Sequence, residues 1–436
     1  MDRYTSVGGE EFYYSIKISL LRVAPSAVFL RPQDMDILIE RQGGSYKFGE
    51  DVVAHSRLID AVYEELSKAV GSASIIVLKG GWGIGKTVAT HVALRRLLEE
   101  SQQSGRRIVI SVAFNGRKNL AFLKKAGDLG YDPVLYLSYS NNYSYSYGRY
   151  RAHLTFHQMR ELSFRLADAV AYARRGTAVI VLSNDQYSAL YGLLRKVGGR
   201  YVKTIDADEV LKSEKQAFVR GLVKANCGCS DEVAERVASA AVEQFEDGYA
   251  VMAALAGRLI RDGMPVEDAI REARRRTVKY ALDYIWSCIY GDRDGKLVFY
   301  HHAPLIMAKG LLGPHFPQSL TPDVADEIAR SAFGSGSTAV DEDALRWLDS
   351  LRPGTALYEA IRGAAYGAVY RRFRVGNDEI CRGSSSYSCY MVEGLEEILY
   401  GLRHKNYRNV EEVARDYAKY LVSKAQRTAG RGLGLA

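Results

Sequence analysis

Nowhere in this 436-residue chain do eighteen apolar residues run together, so no segment is long enough to cross a bilayer as a helix. The opening residues, MDRYTSVGGEEF, contain no apolar signal core, and the expected location is the cytoplasm without membrane attachment. Cysteine is scarce, and five residues cannot all pair within one chain. Cys227 and Cys229 are too close for a C-x-x-C metal knuckle and have no second pair, which argues against zinc. Cys381 and Cys389 flank RGSSSYS and read either as a disulfide-closed loop or as two free thiols. Massed charge is missing as well. The formal net charge is +8, but the basic residues are spread along the chain, so nucleic acid or acidic partners are permitted rather than indicated. Arginine outnumbers lysine roughly two to one while Asn, Gln and Met are sparse, a mixture compatible with a thermophile. What is present is 47% hydrophobic and 25% charged residues, the composition of a globular protein with a large core and room for two to four domains.

The most specific stretch is LKGGWGIGKTVAT, Leu78 to Thr90. Gly80, four residues, then Gly85, Lys86 and Thr87 fit G-x-x-x-x-G-K-[ST], between a run that reads as a buried strand and one that reads as a helix. Glycines at 80, 81, 83 and 85 permit a backbone whose N–H groups turn inward as an anion nest, and the following helix points its positive end at the same place. Trp82, Ile84 and Val88 complete the nucleotide-binding stretch. Lys86 is expected to reach the β and γ phosphates, and the Thr87 hydroxyl to ligate Mg²⁺. ATP or ADP and Mg²⁺ are the implied ligands.

Around this loop, periodicity predicts a helix over Ser56 to Val70, the loop's strand over Ser74 to Lys79 and its helix over Thr87 to Glu100. A strand at Arg107 to Phe114, a helix from Asn119, a strand at Pro133 to Leu137, a helix Leu154 to Arg174 and strands in TAVIVLSND and RYVKTI follow. The alternation predicts an α/β fold, a parallel sheet with helices on both faces. Before it, FYYSIKISLL, AVFLRP and MDILIE alternate apolar and polar residues and read as strands of a small extension, residues 1–47. After the core, 48–207, only helical periods occur: Val210 to Ala225, Asp231 to Val242, Tyr249 to Ile260 and Val266 to Tyr290. These suggest a lid over 208–275. A turn-rich 276–325 and a helical 326–436 complete the chain.

With loop, strand sequence and lid in view, the chain resembles the AAA+ and STAND group of P-loop ATPases, and in particular archaeal STAND-like ATPases, over roughly Phe48 to Leu312. FGEDVVAHSRLIDAVYEEL sits where that group has an adenine-touching helix. VIVLSND resembles the strand whose terminal polar residue reads the γ-phosphate, which implies that role for Asn184. FEDGYAVMAALAGRL resembles the lid segment with Gly248 aligned, although Ala250 stands where the group has proline. HHAPLIMAKG is similar to a winged-helix patch whose histidine touches the β-phosphate, implying His302, with His301 an equal contender by position. Arg200 lies near where the group carries an arginine finger; a solvent-facing loop arginine is the alternative. The strand expected to end in Mg²⁺-organising carboxylates reads PVLYLSYSNN, with Ser138 and Tyr139 in their places and no acid. Either hydrolysis is feeble, or Asp185 supplies the carboxylate as a catalytic and metal-organising group. The resemblance thus implies an ATP-dependent switch and ATPase; a nucleic-acid-stimulated motor and a non-hydrolysing scaffold are the alternatives. A homo-oligomer or protein partner would be engaged through the carboxyl-terminal region.

Other motifs are less specific. YSNNYSYSYGRYR, Tyr139 to Arg151, interleaves tyrosines and serines as platforms for single-stranded nucleic acid do, or packs on its own protein. The arginines at 271, 274, 275 and 276 spread around their helix, which reads as a solvated face. Asp206, Asp208 and Glu209 read as caps of the first lid helix.

Overall fold

The computed structural model describes residues 4–22, 27–112, 116–138, 176–183, 201–289, 309–310 and 351–363. The chain divides into two compact units, Met1–Arg276 and Thr277–Ala436. In the second, described residues place Ile361 against Gly310, so closely that a Cβ there would lie 2.8 Å from the Ile361 carbonyl oxygen. The segments expected to be winged-helix-like, 276–325, and helical, 326–436, lie mostly outside the described residues.

The first unit begins with α1 (Tyr4–Leu21), β1 (Ala27–Phe29), a 3-10 turn (Pro32–Ile37), and the short strands β2 (Glu40–Gln42), β3 (Ser45–Phe48) and β4 (Asp51–Val53). Next come α2 (Arg57–Ala69), β5 (Ser74–Gly80), α3 (Lys86–Ser104), β6 (Ile108–Val112), α4 (Gly116–Asp128), β7 (Asp132–Ser138) and β8 (Thr177–Ser183). The strand β9 (Val202–Asp206) leads into α5 (Ala207–Leu211), α6 (Lys215–Cys227), α7 (Asp231–Gln244), α8 (Tyr249–Arg261) and α9 (Val266–Ile289).

The main sheet has the order β1-β6-β7-β8-β5-β9. All pairs are parallel except β1 on β6, and β2-β3-β4 form a separate antiparallel sheet. The α/β architecture with a parallel sheet and flanking helices is therefore as expected, with an antiparallel edge added by β1. Strands β5 and β6 are buried on both faces, as expected where helices cover a parallel sheet.

Two of the strands expected near the amino terminus are corrected. FYYSIKISLL is helical: in a period-two pattern every second apolar residue is also spaced by four, so Ile16 and Leu20 share one helix face and are buried. Their intervening partners Tyr14 and Ile18 are left exposed. Of the expected MDILIE strand, Met35–Ile37 end the 3-10 turn, Leu38 and Ile39 lie in no strand, and only Glu40 enters β2. The Asp34 carboxylate accepts from the N–H groups of Leu30 (2.9 Å) and Arg31 (3.0 Å) and from Tyr13 and Lys17 of α1, which curls the chain around it. The helix expected from Val210 to Ala225 is interrupted between Leu211 and Lys215.

The β2-β3-β4 sheet straps the loop helix to the helices after β9. At one end Arg95 of α3 binds Asp36 and the Ile39 carbonyl (2.6 Å), while Arg41 binds Glu99 at 2.9 Å. At the other, the buried Asn226 amide copies a strand edge: it accepts from the Val52 N–H at 2.9 Å and donates to the Val52 carbonyl at 3.0 Å. Arg258 of α8 adds ion pairs to Glu50 (2.7 Å) and Asp51 (3.0 Å). Burial pushes the Asp51 carboxyl upward, and Arg258 partly offsets the shift.

His91, on α3, lies edge-on to Tyr136 with ring centroids 5.2 Å apart and is fully buried. Burial pushes its pKa down to about 3, against a backbone hydrogen bond with Leu38 that pulls the other way. The folded chain thus leaves the imidazole neutral in a range where the unfolded chain protonates it near 6.5. The contribution is intact above about pH 6.5 and is lost as pH falls toward 3, with a limiting slope of about 1.4 kcal/mol per pH unit. Urea unfolding at pH 7 and pH 5 should differ by about 2 kcal/mol from this group, and His91→Phe should remove that difference. An identical pH dependence in the variant would place its source elsewhere.

Candidate nucleotide site

Strand β5 delivers the glycine loop to the carboxyl edge of the sheet, between β8 on one side and β9 on the other. The turn demands glycine. Gly83 has φ of 68° and Gly85, the residue before α3, has φ of 98°, both in the left-handed region. Among the described residues, no group accepts a hydrogen bond from the N–H groups of Gly83, Ile84 or Gly85. The first turn of α3 carries no acidic side chain and no side-chain cap, leaving its amide end suited to an anion.

Lys86 is buried beneath the loop, 7% exposed. Its ammonium donates to the Gly80 carbonyl at 2.9 Å and to the Gly81 carbonyl. Thr87 follows in the first turn, half-buried, and the Thr90 hydroxyl closes that turn on the Lys86 carbonyl at 2.9 Å. Phe218 of α6 stands 3.8 Å from where a Cβ on Gly85 would lie. The loop is thus flanked by α6 as well as by the sheet.

The start of α8 is bonded to the loop backbone. Gly248, with φ of 70°, donates its N–H to the Trp82 carbonyl at 2.6 Å, and Val251 donates to the Gly83 carbonyl at 3.3 Å. A Cβ on Gly83 would sit 2.9 Å from the Gly248 Cα, so the contact requires glycine at 83. Trp82 and Ile84 are buried. Val88 continues the first turn of α3, half-buried.

Carboxylates meet the loop from the β9 side. Asp206 caps α5, accepting from the N–H groups of Asp208 (3.2 Å) and Glu209 (3.4 Å), and pairs with Lys79 of β5 at 2.5 Å. Asp208 does not cap the helix; its two oxygens accept from the Gly81 N–H at 3.2 and 3.0 Å. Asp247 lies beyond, its Cβ 2.8 Å from a Cβ built on Gly81. Lys215 stacks on Tyr249 at 4.2 Å and donates to the Glu246 carbonyl at 3.2 Å. Burial lowers the Lys215 pKa while Asp208, Asp247 and Glu246 pull it back. Burial first, then the negative charges of Asp208 and Asp247, raise the Tyr249 phenol far above its usual range.

Of the residues singled out in the sequence, the structure brings Gly80 to Val88 together with Gly248. Asn184, Asp185, Arg200, His301 and His302 lie outside the described residues, as do Tyr139 to Arg151. The last described residue before Asn184, Ser183, pairs with Gly80, so β8 adjoins the loop's strand. Ser138 of β7 pairs with Val181 of β8, one strand farther away. Asp208, Asp247 and Phe218 were not read from the sequence as neighbours of the loop; their approach depends on the tertiary placement of α5, α6 and α8, which no local pattern encodes.

Elsewhere, three of the four arginines singled out on α9 are engaged by its own acids: Arg271 by Asp268, and Arg275 and Arg276 by Glu272 at 2.7 Å. These bonds, Arg275 first, hold the Glu272 carboxyl down to about 2. Cys227 and Cys229 are joined in a disulfide, a pairing not anticipated in the sequence. Among the described residues no cluster of three or more His, Cys, Asp or Glu side chains could hold a metal, and no helix is long and apolar enough to cross a membrane.

No family model matches the chain, and no curated protein matches it. Solved structures resemble it at low identity. The ORC1 protein of Aeropyrum pernix, solved in complex with DNA, is 13% identical over 64% of this chain and 82% of that one, with a TM-score of 0.37. A Walker-type ATPase of Pyrococcus abyssi is 13% identical over 70% and 95%, with a TM-score of 0.36. AMPPCP-bound DnaA from Aquifex aeolicus is 11% identical over 83% and 92%, with a TM-score of 0.30.

Proposed function

We propose that the chain is an ATP-binding switch of the AAA+ and STAND kind. The observation that carries the reading is the glycine loop between β5 and α3, with Lys86 buried under it and α8 bonded to its backbone. The residues fit a triphosphate: positive-φ glycines, amides without a described acceptor, an uncapped helix start and an ammonium converge on one turn. Bound Mg-ATP would supply a transferable phosphoryl group and a cation that offsets its charge.

The amides of Gly83, Ile84 and Gly85 and the α3 amino terminus would grip the phosphates, Lys86 would neutralise them, and Thr87 would hold Mg²⁺. Gly248 and the α8 start would keep water from the loop and couple its shape to the lid. Asp185 and Asn184, two residues that follow β8, are assigned the water-activating carboxylate and the γ-phosphate contact. Arg200 is assigned to completing a site in trans, and His302 to the β-phosphate. Because β7 ends in Ser138, which Tyr139 follows in the sequence with no acid at either position, binding outweighs turnover in this reading. The paired arginines of α9 lend no support to a nucleic-acid-driven motor.

Calorimetric titration with Mg-ATP and Mg-ADP should give dissociation constants of about micromolar order, roughly −8 kcal/mol. Turnover should stay below about 0.1 per second, under the usual enzyme range, and fall further in Asp185→Asn. Absence of nucleotide binding would overturn the proposal. Turnover raised more than about tenfold by DNA or RNA, and lost in Asp185→Asn, would replace the switch with a motor.

A further inference from the structure

The peptide group between Gly80 and Gly81 carries opposite charges at its two ends. Its carbonyl accepts from the Lys86 ammonium at 2.9 Å, and its N–H donates to both oxygens of Asp208. A cation at the oxygen and an anion at the N–H polarise the peptide in the same sense, so each contact strengthens the other. Asp208 belongs to α5, five residues long, while its neighbour Asp206 is fixed to β5 through Lys79. One carboxylate therefore anchors the β9–α5 corner, and the other ties the short helix to the loop.

We propose that Asp208 is a positioning residue through which occupancy of the phosphate loop reaches α5 and α6. The inference rests on the nucleotide reading above. A triphosphate draws the Lys86 ammonium from the Gly80 and Gly81 carbonyls toward anionic oxygens, and the peptide loses the cation that polarised it. The polyanion also brings like charge toward the Asp208 carboxylate. Both changes weaken the Asp208–Gly81 bond, and α5 moves with α6 behind it. The α8 contact behaves differently, because Gly248 and Val251 bond to the loop through neutral backbone groups alone.

Amide hydrogen exchange read by mass spectrometry, with and without Mg-ATP, separates the two routes. In the wild type, nucleotide should change exchange over 80–88, 207–227 and 249–261. Asp208→Ala should bind Mg-ATP within about fivefold of wild type, keep the responses at 80–88 and 249–261, and lose most of that at 207–227. The retained responses show that the variant is folded. Asp208→Asn keeps the acceptor oxygen without the charge and should respond to an intermediate degree, whereas a merely space-filling role would leave it like wild type. A wild type that binds no nucleotide overturns the functional reading and this inference with it. A wild type that binds, but shows either no response at 207–227 or the same response there in Asp208→Ala, overturns the role of Asp208 alone.

Discussion

Lys86→Ala should weaken Mg-ATP binding by at least about a hundredfold, a loss of roughly 2.7 kcal/mol or more. In the ligand-free chain the Lys86 ammonium is shielded from water and satisfied by two loop carbonyls, which are neutral acceptors. A phosphate offers it an anionic acceptor, and charge-assisted hydrogen bonds are about twice as strong as neutral ones. Alanine removes that gain and also leaves the Gly80 and Gly81 carbonyls short of a donor, at a cost of about 1–3 kcal/mol in stability. The two effects are separable. A thermal melt reports the second, and titration of Lys86→Met well below its melting temperature reports the first: this variant keeps the apolar stem, so affinity as weak as in Lys86→Ala assigns the loss to the charge. Titration calorimetry on all three proteins is the measurement, and unchanged affinity in Lys86→Ala would remove the basis of the proposed function.

The loop was legible in the sequence because its chemistry is local: a nest needs glycines at fixed offsets, and the lysine and threonine follow on the first turn of the same helix. Strands β5, β6, β7 and β8 were legible for a related reason, since a strand buried on both faces shows as an unbroken apolar run. The amino-terminal helix was not, because Phe12, Tyr14, Ile16, Ile18 and Leu20 satisfy a strand's period of two while Ile16 and Leu20 also satisfy a helix's spacing of four. The choice fell to tertiary contacts, the grip of Asp34 on Tyr13 and Lys17 among them. Asp208 and Asn226 were invisible for a third reason. Each bonds a backbone group more than a hundred residues away, Gly81 and Val52, and nothing in the chain near either acid or amide marks it for that use. A reading confined to sequence therefore recovers the cradle of the site and misses the groups that connect it to the helices around it.

Gly83→Ala tests whether that connection matters as much as the cradle. The native φ of 68° costs an L-residue roughly 1–2 kcal/mol. The added methyl would lie 2.9 Å from the Gly248 Cα and 3.0 Å from a Val251 methyl. The first of these is backbone at a positive-φ residue whose N–H is fixed on Trp82, so it has little freedom to retreat. Overpacking of this kind adds about 1–3 kcal/mol, giving a total of roughly 2–5 kcal/mol and a fall in melting temperature of about 3–9 °C for a unit of this size. If α8 instead separates from the loop to relieve the clash, the Gly248–Trp82 and Val251–Gly83 bonds break, and exchange protection at those amides should collapse while that of β5 persists. Nucleotide affinity should then drop by at least about tenfold even though every phosphate-binding group remains, because the amides of the nest lose the wall that fixes them. The corresponding change at Gly105, which has φ of 71° and open space around it, should incur only the backbone cost and leave affinity unaltered. Equal effects at the two glycines would mean that the seam between α8 and the loop contributes nothing beyond local conformation.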